Sequence, residues 1–169
     1  MVRMPIVDLR AQARQLAESG KRVVVLWQDS ESIGFIARGR EYRSEFHINP
    51  SDEVMYMIHG EMRLHYRTPE GKEDVAVIPE GSSIFTPTGV PHSPRFPPDA
   101  FALITERRRR PGEIDHFLWF CPSCDHLLHD EAAVVDDYTK DPVSKAYATF
   151  FDSEALRTCK QCHTVMPRP

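Results

Sequence analysis

Four cysteines, Cys121, Cys124, Cys159 and Cys162, are the whole thiol content of this 169-residue chain, and they form two CxxC pairs separated by 34 residues. A CxxC turn lets two thiolates approach one ion, and a second such turn completes a tetrahedral shell. No stretch approaches the roughly 18 apolar residues of a membrane span, and the N-terminus lacks the apolar core of a signal peptide. A cytoplasmic location is therefore expected, where thiols stay reduced and paired cysteines read as metal ligands before disulfides. Zinc suits the closed sulfur shell best, and a single iron is chemically allowed. Such a shell has no open position, so this site organises structure and the chemistry belongs elsewhere. His126, His129 and His163 flank the pairs and are read as surface or supporting residues.

Upstream of the cysteines the pattern is that of a strand-rich body. Residues 8–19 have helical period, with Leu9, Ala13, Leu16 and Ala17 on one face and Gly20 as a stop. Short β-type runs then follow at 23–27, 32–37, 46–48, 54–58, 62–66, 75–78, 83–85 and 101–105, and a proline-rich loop is expected over 87–98. Met62, Leu64 and Tyr66 alternate with Arg63, His65 and Arg67, the period of a half-buried strand. Many short strands closed by glycine or proline predict an all-β sandwich or barrel. The expected division is a body with an N-terminal helix over 1–112 and an extension carrying the cysteine site over 113–169. Tyr138, Tyr147, Phe150 and Phe151 give that extension some apolar content, and helices are expected before Asp152 and over 153–157.

The formal charge of −4, from 25 acidic and 21 basic residues, points away from nucleic acid and anionic membrane. The run Arg107, Arg108, Arg109 and Arg110 reads as a solvated face or a subunit contact.

In the body, His47, Glu53 and His92 are the informative residues. His47 lies at the end of one expected strand and Glu53 at the start of the next, so two ligands can converge on one ion; His92 follows in the proline-bounded loop. Two imidazoles and a carboxylate suit a divalent metal such as iron and leave the opposite face of its coordination sphere open.

The segment from Gly81 through Pro87 and Gly89 to His92 resembles the second motif of the cupin superfamily, and His47 through Glu53 to Gly60 the back half of the first. Glu45 stands where many cupins have another histidine, which favours a set of two histidines and one carboxylate. From Trp27 onward the chain is similar to bacterial-type 3-hydroxyanthranilate 3,4-dioxygenases. The most specific pieces are Arg43 to His47, Asp52 to Tyr56 with Gly60, Pro91 to Pro94, Ile104 to Arg107, and the two cysteine pairs. The resemblance implies a cupin (jelly-roll) β-barrel with a rubredoxin-like metal-binding tail. It implies Fe(II) at His47, Glu53 and His92, and iron or zinc at the four cysteines. Arg43 matches an arginine that grips the substrate carboxylate, and Glu106 a glutamate facing the hydroxyl and amino edge of the ring. The family has a second arginine a few residues after the last histidine: with a one-residue gap Arg95 takes that role, and without the gap Phe96 occupies it.

The implied reaction is extradiol-type cleavage of 3-hydroxyanthranilate by O2 as co-substrate, giving 2-amino-3-carboxymuconate semialdehyde, in a homodimer with no nucleic-acid or membrane partner. Arg43, Arg95 and Glu106 are the expected substrate and catalytic residues. Two alternatives stay open: the same iron chemistry on a different aminophenol, catechol or related aromatic, and a non-catalytic cupin that binds a small aromatic acid.

Overall fold

The computed structural model describes residues 4–135 and 142–169; Tyr138 lies outside them. The first element is α1 (Leu9–Ser19), whose N-terminus is capped by the Asp8 carboxylate accepting from Ala11 N at 3.0 Å, an interaction that contributes about 1 kcal/mol. Ala13 and Leu16 are its buried face and pack on Ile36, Ile58 and Phe101. Eleven strands follow: β1 (Val23–Trp27), β2 (Ser32–Arg38), β3 (Phe46–Ile48), β4 (Glu53–His59), β5 (Glu61–Arg67), β6 (Glu73–Pro79), β7 (Ser83–Thr86), β8 (His92–Arg95), β9 (Phe101–Arg107), β10 (Asp115–Phe120) and β11 (Leu127–Ala133). The helices α2 (Pro142–Asp152) and α3 (Glu154–Arg157) close the tail.

All registered pairings are antiparallel, in one sheet ordered β1-β2-β9-β4-β7 and another ordered β11-β10-β3-β8-β5-β6. The two sheets pack face to face through Met55, Met57, Ala102 and Ile104 of the first and Met62, Leu64, Ile78 and Phe96 from the second sheet and its adjoining loop. This is the jelly-roll sandwich expected of a cupin. Gly60 makes the tight β4–β5 turn at φ 81°, and a Cβ there would stand 2.6 Å from Ala100 Cβ. Among the described residues, no helix is long and apolar enough to cross a membrane.

The structure adds three strands to those read from the sequence. β8 lies inside the expected proline-rich loop: it pairs with β5 along four residues but meets β3 only at His47↔His92, and this one-sided ladder accommodates Pro94. β10 carries the apolar residues Phe117, Trp119 and Phe120, and pairs with both β3 and β11. β11 reads LLHDEAA, with no alternation to announce it, and owes its strand conformation to β10. The second sheet thus runs across residues 112 and 113, and residues 115–133 extend it. Over Phe117 and Trp119, α2 lays Ala146, Phe150 and Phe151; Trp119 stacks on Phe150 at 4.5 Å between ring centroids.

Candidate active site

His47 (β3), Glu53 (β4) and His92 (β8) arrive from three strands in both sheets, and one ligand atom from each lies within 4.8 Å of the others. His92 Nε2 stands 3.1 Å from Glu53 Oε2, while its Nδ1 is 2.9 Å from the Val90 carbonyl. Metal–ligand bonds of about 2.1 Å put adjacent donors about 3 Å apart, so this pair fits a common ion. His47 Nε2 is 2.6 Å from Asp115 Oδ2, which leaves its other ring nitrogen for an ion. The His47 ring also stacks on Phe117 at 5.1 Å.

Burial and charge set the protonation of this cluster. Desolvation works to raise the Glu53 carboxyl, but the charge and hydrogen bond of His92 outweigh it and hold the group down at about 2. Burial lowers His92, yet the Glu53 charge and hydrogen bond and the Val90 carbonyl bring it above its ordinary value. For His47 burial wins over the Asp115 hydrogen bond, and its pKa falls. Glu106, on β9 directly opposite Glu53, is pushed up to about 7 by burial and by the Glu53 charge, against the pull of Arg109. Its carboxylate accepts from Asn49 Nδ2, which also reaches Glu53 Oε2 at 3.3 Å. A groove of about 560 Å³ that includes Pro50, Ser51, Asp52 and Thr88 opens beside Glu106 and includes none of the three candidate ligands.

Arg43 lies ahead of β3 on the ligand side, close enough for its charge to act on His92, with Nε 2.8 Å from the buried Glu45 carboxylate. Tyr147 of α2 donates its hydroxyl to the same carboxylate at 2.5 Å, so the tail reaches the rim of the site. Arg95 does not leave β8 on the ligand face, although its guanidinium lies close enough to Glu45, Arg43 and Tyr147 for their charges to act on it. Residues opposite one another in an antiparallel ladder share a face: His92 pairs with His47 and Tyr66, Pro94 with core Leu64, and Arg95 with exposed Arg63. Arg95 therefore leaves β8 on the outer face, where it lies 3.9 Å from Glu73 and 5.6 Å from the Phe46 ring, and Phe96 turns into the core.

The arginine run is a solvated face only at Arg108 and Arg110, which are exposed. Arg107 forks onto Glu113 at 2.6 and 3.0 Å. Arg109, its side chain 6% exposed, binds both Asp115 oxygens at 2.6 and 2.7 Å and approaches Glu106 at 3.2 Å. Asp115, Asn49 and Arg109 carried no motif signal; only the folded pairing of β3 with β10 and of β4 with β9 brings them to the site.

Just beyond β10 and in the C-terminal segment, the four cysteine sulfurs also lie within 4.8 Å of one another. Cys121 and Cys162 Sγ are 3.5 Å apart, as are Cys124 and Cys159. That separation exceeds a disulfide bond and approaches the edge of about 3.8 Å that a tetrahedral ion with 2.3 Å bonds to sulfur requires. Both turns have the same build: Asp125 N donates to Cys121 O and His163 N to Cys159 O, each at 2.9 Å, with Asp125 and His163 at φ 65° and 60°. Arg67 ties one turn to the sheet, 2.5 Å from Asp125 and with its guanidinium 3.7 Å over the Phe120 ring.

The model of the 3-hydroxyanthranilic acid dioxygenase family matches residues 8–151. The chain belongs to this family. Its relatives include the 3-hydroxyanthranilate 3,4-dioxygenase of Bacillus cereus, 40% identical over 85% of this chain and 79% of that protein. The enzyme of the same name from Xanthomonas campestris pv. campestris is 32% identical over 98% of this chain and 94% of that one. Among solved structures, hydroquinone 1,2-dioxygenase from Sphingomonas sp. TTNP3 aligns with 64% of this chain and 82% of that one, at TM-score 0.49 and 17% identity. A cupin-2 domain protein from Shewanella frigidimarina covers 61% and 95%, at TM-score 0.48 and 16% identity. Membership in the 3-hydroxyanthranilic acid dioxygenase family makes the chain a dioxygenase that uses a metal and O2, and the set His47, Glu53 and His92 has donors suited to a metal.

Proposed function

We propose that the protein cleaves the ring of 3-hydroxyanthranilate with O2, using Fe(II) held by His47, Glu53 and His92. The observation that carries this reading is the convergence of these three donors from both sheets in a chain 40% identical to an enzyme of that name. Bound there, Fe(II) supplies an open coordination face for an adjacent hydroxyl and amino group and for O2. Arg43 grips the substrate carboxylate, exchanging its contact with Glu45 for charge-assisted hydrogen bonds to the ligand. Glu106, raised toward neutrality and across the ladder from Glu53, accepts a proton from the substrate hydroxyl or amine. Asn49 and Arg109 hold that carboxylate in place, and the buried Met55 and Ile104 follow Glu53 and Glu106 on the same face of the ladder and limit water. The four cysteines hold iron or zinc and organise the tail. Oxygen uptake by the iron-loaded protein with 3-hydroxyanthranilate tests the reading; no uptake with bound aromatic would support instead a non-catalytic binder.

The outward course of Arg95 favours one second reading within the same chemistry. With Arg43 as the arginine matched to the carboxylate and Phe96 inward, an aminophenol or catechol lacking that carboxylate meets less discrimination. Comparing kcat/KM for 3-hydroxyanthranilate and unsubstituted 2-aminophenol separates the two: a preference of less than about tenfold, or 1.4 kcal/mol, favours the second.

A further inference from the structure

The side chains around the three candidate ligands form two bridges to Glu106. One runs from Glu53 through Asn49, whose amide nitrogen reaches both carboxylates, and whose Oδ1 is fixed by Ser51 N at 2.8 Å and Ser51 Oγ at 3.0 Å. The other runs from His47 to Asp115 at 2.6 Å, from Asp115 to Arg109 by a two-point fork, and from Arg109 to Glu106 at 3.2 Å. Asp115 is 1% exposed and Arg109 6%.

Burying two charges this deeply is costly unless geometry and partners compensate. Here the compensation is complete in form: a planar guanidinium meets both oxygens of one carboxylate and touches a second, and the first carboxylate turns one oxygen to an imidazole. A histidine whose second ring nitrogen is held by a carboxylate is oriented for metal binding. Lysine, a point charge without the fork, cannot hold Asp115 and Glu106 in the same way.

We propose, on the reading of the centre given above, that Arg109 is a positioning residue: through Asp115 it aims His47 at the metal, and through Glu106 it places the proton acceptor beside the same ion. Arg109 acts through two carboxylates, those of Asp115 and Glu106. The exposed neighbour Arg108, whose backbone N donates to Glu31 O, has no part in the network and serves as the control.

The test uses the full-length protein with its tail metal in place, stripped of body iron by a mild chelator and titrated anaerobically with Fe(II). Arg109→Lys and Asp115→Asn are each expected to weaken Fe(II) binding by roughly 10–100-fold and to lower kcat more than they change KM. The double variant should lose little more than either single one, because both cut the same path. Tail metal content and Tm stay near wild type, and Arg108→Lys changes neither affinity nor kcat. Wild-type Fe(II) affinity in Arg109→Lys overturns the proposal, as does additive loss in the double variant or joint loss of both metals, which marks a purely structural role. His47→Ala separates this from the reading beneath it. If that variant also keeps wild-type iron, the assignment of the centre fails; if it loses iron while Arg109→Lys does not, only the role of Arg109 fails.

Discussion

Arg43 stands 2.8 Å from Glu45 on the ligand side, whereas Arg95 leaves β8 beside Glu73 on the outer face, so substitution should separate them. Arg43→Ala removes hydrogen bonds to a charged group, worth about 1.5–3 kcal/mol, and should raise KM for the carboxylated substrate by roughly 10–100-fold. Arg95→Ala should leave that KM within about twofold; steady-state kinetics of both variants checks the contrast. Glu106→Gln keeps the shape and the Asn49 contact distance but removes the proton acceptor, and kcat should fall by about 10²–10⁴-fold, the usual reach of a positioned base. Single-turnover kinetics reads it directly, and an unchanged chemical step would reject the role. The three candidate ligands and Glu106 were legible in the sequence because each sits in a local motif. Asn49, Asp115 and Arg109 were not: Asn49 is two residues from His47, yet its partner Glu106 is 57 positions away. For Arg109, four consecutive arginines read as a solvated run, and only the folded structure selects the one that turns inward.

Among the elements, the strands with regular alternation, such as β5, were legible, and β1 and β3 match the residues read from sequence. β8, β10 and β11 needed tertiary pairing to declare themselves, through a proline in the first and a charged, aperiodic sequence in the last. The consequence reaches the site, because β8 and β10 flank β3 and carry His92 and Asp115. The cysteine turns hold the chain on either side of α2, and α2 covers Phe117, the ring stacked on His47. Metal binding in such turns is coupled to local folding. Cys159→Ser should therefore remove the tail metal, lower Tm and weaken the near-UV circular dichroism of Trp119, which lies against Phe150. A native Trp119 signal without tail metal would show that α2 docks independently.

The molecule as a whole carries two separate candidate metal sets, one between the sheets and one in the tail that follows β10. Four clustered sulfurs lie in the tail, and the half-buried His47 with the buried Glu53 and His92 form the second set between the sheets. Arg67 and Tyr147 join the two halves, the first under Asp125 and the second on Glu45 beside Arg43. His47→Ala, Glu53→Ala and His92→Ala should each remove body iron and activity while sparing the tail metal, as metal analysis of the purified variants would show. The most direct measurement is oxygen consumption by the anaerobically iron-loaded protein mixed with 3-hydroxyanthranilate, followed together with the ring's ultraviolet absorbance. Uptake of one O2 per ring opened, abolished in His47→Ala, is the predicted result; a bound, intact ring with no oxygen consumed would contradict it.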